Sequence, residues 1–105
     1  MSVTLYKLAK ELEKNGFPKV IDGHYVDETG QLLHVQSSTQ YDSVYLPTLD
    51  ELFKEVVRFG KGFSIQFSTV SRTWYASTFA GEERASASEA KEASMQIWLQ
   101  CDANA

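Results

Sequence analysis

Residues 63–68 alternate without a break: Phe63, Ile65 and Phe67 are apolar, while Ser64, Gln66 and Ser68 are polar. A period of two sends successive side chains to opposite faces, so this run predicts a strand with one covered face. A second run, Thr73-Trp74-Tyr75-Ala76-Ser77-Thr78-Phe79, is rich in the β-branched and aromatic residues that suit a pleated, half-buried surface. The polar segment between the two makes them a hairpin, and Ala80-Gly81 ends it. The apolar face then needs a cover. Ser86-Ala87-Ser88-Glu89 has the spacing of a capping box, in which a hydroxyl and a carboxylate satisfy each other's backbone N–H groups. It predicts a last helix with Ala90, Ala93, Ser94, Ile97, Trp98 and Cys101 on its inner side and Lys91, Glu92 and Gln96 in water.

The first half follows the same logic. Leu5, Leu8, Ala9 and Leu12 share one side of a first helix. Asn15-Gly16-Phe17 reads as a Schellman stop, with Gly16 left-handed and Phe17 folding back on Leu12, and Pro18 blocks continuation. Residues 20–35 read as a second hairpin about the turn Asp27-Glu28-Thr29-Gly30. Residues 36–43 are polar and aperiodic, a loop from which Val44-Tyr45-Leu46 re-enters the body. Thr48 and Glu51 form another capping box before the apolar stripe Leu49, Leu52, Phe53, Val56 and Val57. The expected fold is α+β, in the order helix–hairpin–helix–hairpin–helix, with antiparallel sheet packed against helices. A chain of 105 residues supports one core, so a single domain over 1–105 is expected.

Charge narrows the partners. A formal net charge of −4 with no basic run argues against nucleic acid, whose phosphates call for clustered Lys and Arg. The beginning of the chain lacks the apolar core of a signal peptide, no apolar run is long enough to span a bilayer, and Cys101 has no internal partner. These features predict a cytoplasmic protein without membrane contact.

Candidate chemistry is sparse. His24 and His34 fall on the two arms of the first hairpin. A symmetric turn with Asp27 opposite Gly30 points them to opposite sides, whereas a one-residue bulge sets them opposite each other. A third ligand is missing in either case, so neither metal nor cofactor is expected. Serines are plentiful, but no Gly-x-Ser-x-Gly elbow is present, and Ser86 and Ser88 read as caps. Cys101 reads as a small core residue. Gly60-Lys61-Gly62 lacks the spacing of a phosphate loop. Asp50 and Glu51 suit a helix start, and Glu82 and Glu83 a solvated turn. No catalytic residue is assigned. The aromatic residues remain: Trp74 and Tyr75 are strand neighbours and face opposite ways, Phe79 shares the side of Tyr75, and Tyr41 and Tyr45 flank the polar loop. Tyr41, Tyr45, Trp74, Tyr75 and Phe79 are therefore the candidate binding residues.

The order of Gly16-Phe17-Pro18 after a first helix, Pro47-Thr48-Leu49-Asp50-Glu51-Leu52, Trp74-Tyr75-Ala76 and a final alanine helix resembles small phage and prophage proteins of uncharacterised function. That resemblance spans nearly the whole chain and implies no catalytic residue. Residues 63–100 are also similar to the β-β-α body of HicB-type antitoxins, a partly degraded double-stranded-RNA-binding fold that holds a toxin. This chain has additional N-terminal elements, no Pro-Gly-Cys after the second strand and no DNA-binding module after the helix. The expected function is non-catalytic and works through protein contacts or self-association, with a homodimer through the Trp74–Phe79 edge or the sheet face as one form. If the chain is phage-encoded, the host cytoplasm is its setting. The alternatives are a HicB-like toxin-neutralising or host-inhibiting binder, and a small enzyme with a site near His24 and His34.

Overall fold

The computed structural model describes residues 3–19, 23–33 and 42–105. The chain is α+β and divides into two compact units, Met1–Pro47 and Thr48–Ala105, each with its own three-stranded antiparallel sheet.

The first unit opens with helix α1 (Val3–Lys14). Its Leu5, Ala9 and Leu12 are buried, as their spacing requires. The helix stops as expected. Gly16 takes φ +86°, the Phe17 N–H donates to the Leu12 carbonyl at 2.9 Å, and the Gly16 N–H donates to the Glu13 carbonyl at 3.2 Å. Strands β1 (His24–Asp27), β2 (Leu32–Leu33) and β3 (Ser43–Leu46) form a sheet in the order β2-β1-β3. The β1–β2 register sets Tyr25 opposite Leu33, one residue away from the symmetric turn. Gly30 at φ +90° makes the bulge, and the Asp27 carboxylate fixes the loop by accepting from the Thr29 hydroxyl and from the N–H groups of Thr29 and Gln31.

β3 is buried at all four residues, Ser43, Val44, Tyr45 and Leu46. Tyr25 and Tyr45 are directly opposite and pack edge to face, with centroids 5.8 Å apart. The Tyr45 ring occupies the space beside Gly23 so closely that a Cβ there would lie 2.0 Å from Cε1. Asp42 ties α1 to the start of β3: its carboxylate accepts from the Tyr6 hydroxyl at 2.5 Å and the Lys10 ammonium at 2.8 Å.

The second unit begins with α2 (Leu49–Val57), capped by the reciprocal Thr48–Glu51 box. Strands β4 (Phe63–Ser68), β5 (Thr73–Thr78) and β6 (Arg84–Ala87) form a meander in the order β4-β5-β6, and α3 (Ala90–Ala103) lies against the sheet and α2. Leu52, Val56, Phe63, Ala76, Ala93, Ile97 and Trp98 are buried. Phe53 stacks on Phe63 at 4.3 Å, and Phe59 meets Trp98 edge on at 5.8 Å.

Each expected hairpin is therefore part of a larger sheet, and helix–hairpin–helix–hairpin–helix gives way to a pattern with two additional strands, β3 and β6. Ser86 pairs with Tyr75 across β5–β6, so the expected box at Ser86 does not form. The N-cap is Glu89, whose side chain makes no capping bond. The ladder to β5 satisfies the backbone that the helix would otherwise have taken. Glu92, expected in water, is buried together with Ala93, Ser94 and Met95, so the covered side of α3 is wider than the stripe predicted from spacing.

Candidate functional site

Pairing in the second sheet sorts its side chains into two faces. Phe67 lies opposite Trp74, which lies opposite Ala87; Ile65, Ala76 and Ala85 form the next row. Buried Phe63, Ala76 and Thr78 belong to this side, the one that α3 covers. The other face carries the rows Gln66–Tyr75–Ser86 and Ser64–Ser77–Arg84. Tyr75 is 47% exposed there, and Phe79, just past β5, is 80% exposed.

These residues shape an open groove of about 720 Å³, lined by Tyr75, Ser77, Phe79, Arg84, Ser86 and Gln96 among others. Two devices hold it. The Phe79 N–H donates to the Gly62 carbonyl at 3.0 Å, and its ring lies over Gly62, where a Cβ would stand 2.8 Å from Cε2. On the far side, the Gln100 amide accepts from the Arg84 N–H at 3.0 Å and donates to the Arg84 carbonyl at 2.7 Å. The amide thus acts as a short extra strand and closes the outer edge of β6. Neither row contains a carboxylate, and Arg84 is their one charged residue.

The candidate residues separate. Tyr75 and Phe79 both line the groove, four residues apart along the chain. Trp74 points to the helix side, half-buried and tilted against Phe67 at 5.1 Å. Tyr45 is a core residue of the first unit, 4% exposed. Tyr41 and His34 lie outside the described residues. β5 is the central strand of its sheet, so the Trp74–Phe79 edge is already paired on both sides and gives no edge for a dimer. Arg84, Ser86 and Gln96 belong to the groove but were not among the candidates. Arg84 and Ser86 have the alternation of a strand in Arg84-Ala85-Ser86-Ala87, but the capping-box signal over the same residues obscures it.

A second polar cluster lies at one end of the sheet. Glu83 is fully buried, not part of a solvated turn. Its carboxylate accepts from the Thr78 hydroxyl at 2.9 Å, from the Asn104 amide at 3.1 Å and from the Lys61 ammonium. Lys61 foremost, then Asn104, holds the carboxyl below the usual glutamate range. A carboxylate so well supplied with donors and so reluctant to take a proton makes a poor general base. Its role is to join β5, the α2–β4 connection and the end of α3. The Asp42 cluster is similar but exposed: the Lys10 ammonium, then the Tyr6 hydroxyl, lowers the Asp42 carboxyl.

Cys101 is buried, and desolvation foremost pushes its thiol up, away from the reactive thiolate. Among the described residues no group of three or more His, Cys, Asp or Glu is placed to hold a metal ion, and no helix is long and apolar enough to cross a membrane. Comparison with protein-family models, with curated proteins and with solved structures finds no match to this chain.

Proposed function

We propose that this chain is a non-catalytic binding protein that engages a protein partner through the open face of the β4-β5-β6 sheet. The observation that carries this reading is that Tyr75 and Phe79 are both exposed on one groove, on the same side of the strand with Ser77 between them, and that the rows there bear one charge, Arg84. Covering exposed rings is favourable by roughly 25 cal/mol per Å² of apolar surface. Tyrosine and arginine are the residue types that concentrate binding energy in protein interfaces. Ser64, Ser77 and Ser86 add small hydroxyls around them, a mixture that antibody paratopes also use because it adapts its hydrogen bonds at little entropic cost. The chain carries net charge −4, yet these rows hold no carboxylate, so an acidic partner meets attraction here at Arg84.

Photo-crosslinking in the cell that naturally carries the gene tests this. A crosslinker at Ser77 or Ser86 captures one discrete protein, and one at Lys54, exposed on α2, does not. Phe79→Ser abolishes the capture. Equal capture from all three positions, or capture indifferent to Phe79→Ser, sinks the reading. The phage or prophage setting suggested by the motif order belongs to the same proposal. Flanking phage structural genes support it, and a metabolic operon opposes it.

A further inference from the structure

We infer that β4 pairs edge to edge with β4 of a second copy, antiparallel about a two-fold axis beside Gln66, joining two three-stranded sheets into one continuous sheet. The edge borders the open face, whose rows include Ser64 and Gln66, but the two proposals are tested at different residues: Gln66 for the seam, and Ser77, Ser86 and Phe79 for the face.

The phase of the β4–β5 ladder determines what the edge presents. The bond from the Phe79 N–H to the Gly62 carbonyl makes Gly62 and Phe79 a hydrogen-bonded pair. Such pairs alternate along an antiparallel ladder. Ser64, Gln66 and Ser68 therefore turn their backbone groups toward β5, and Phe63, Ile65 and Phe67 turn theirs outward. Among the described residues, no hydrogen bond reaches those outward groups.

Sheets ordinarily protect such an edge with a lysine, a proline, a bulge or a cover. The opposite edge of this same sheet is covered by Gln100. Among the described residues β4 shows none of these devices. Phe63-Ser64-Ile65-Gln66-Phe67-Ser68 contains no charge and no proline, and it pairs with β5 residue for residue without a bulge. The edge is also apolar on its helix side, where Phe67 is 42% exposed and Ile65 is half-buried.

Self-complementarity selects a second copy as the occupant. With the two-fold beside Gln66, Ile65 faces Phe67 of the second copy and Phe67 faces its Ile65. Outward backbone groups then meet outward groups, and each exposed Phe67 ring gains an aliphatic neighbour. Gln66 meets Gln66 at a close, non-hydrogen-bonded position, and Ser64 meets Ser68. No like charges oppose one another anywhere on the seam.

A cysteine scan of the whole chain in a Cys101→Ala background tests the pairing. Opposed residues at a non-hydrogen-bonded position have Cα atoms about 4.5 Å apart, within disulfide range. Under mild oxidant, Gln66→Cys is expected to form a covalent dimer, and Ser64→Cys and Lys54→Cys to form none. In sedimentation from about 10 µM to about 1 mM, the native chain is expected to show concentration-dependent dimer, and Gln66→Lys to raise its dissociation constant about fivefold through like-charge opposition. Mixing Gln66→Lys with Gln66→Glu restores association. A native chain that stays monomeric to about 1 mM, or a folded Gln66→Cys variant that crosslinks no faster than Lys54→Cys, overturns the proposal.

Discussion

The two sheets match in strand number and antiparallel pairing but differ in what they leave to water. In the first, β3 is buried at every residue and β1 at three of its four. In the second, β5 keeps Ala76 and Thr78 buried and exposes Tyr75. A strand covered on both faces is committed to packing and has no surface to offer. A strand covered on one face leaves the other open to water. In the first sheet β3 is a core strand, while Leu32 of β2 stays 60% exposed; the second sheet combines a core face with an open one.

The sharpest way to break this contrast is to truncate a side chain on each sheet. Leu46→Ala in β3 is expected to cost about 2–5 kcal/mol in urea unfolding, because the buried space it leaves cannot fully collapse. Gly23→Ala comes next, at about 1–3 kcal/mol, since its methyl group meets the enclosed Tyr45 ring. If Tyr45→Leu restores the Gly23→Ala variant, the ring is the cause; if not, the backbone is.

The acid limb separates the sheets in another way. In the folded chain the Glu83 carboxyl lies below the usual range, while unfolded it titrates near about 4.3. Its contribution to stability is complete above that unfolded value and disappears as pH falls through the lower folded value. Glu83→Gln is therefore expected to flatten the acid limb of the stability profile without abolishing it, since Asp27 and Asp42 are shifted the same way. A limb of unchanged steepness, followed by circular dichroism, would refute that assignment. The smallest expected effect is at the open face: Phe79→Ser should move folding stability by no more than about 0.5 kcal/mol. A larger loss would mean that Phe79 supports the fold through its contact with Gly62.

Local signals were readable in advance. The Thr48–Glu51 box, the Gly16–Phe17 stop and the alternation of 63–67 each encode their geometry within a few residues, and all three form. The third strands were harder to see because neither carries the usual local signature of a strand. Ser43-Val44-Tyr45-Leu46 does not alternate, since both its faces are buried. Arg84-Ala85-Ser86-Ala87 contains no β-branched or aromatic residue, and its strand conformation comes from β5 on one side and Gln100 on the other. At the groove, the opposite orientations of Trp74 and Tyr75 followed from strand periodicity alone. Which ring faced water did not, because that depends on where α3 lies. Glu83 left no signal at all: its donors come from positions 61, 78 and 104.

Residues 86–89 can obey two sets of instructions. Read locally, they open a helix; held by β5, they finish a sheet. β5 and β6 are joined by residues 79–83 alone, so the strand partner is as near in the chain as the helix it displaces. During synthesis β5 emerges before residues 86–89, so the strand partner is present when the helix start first becomes possible, and the junction between β6 and α3 marks how far its hold extends.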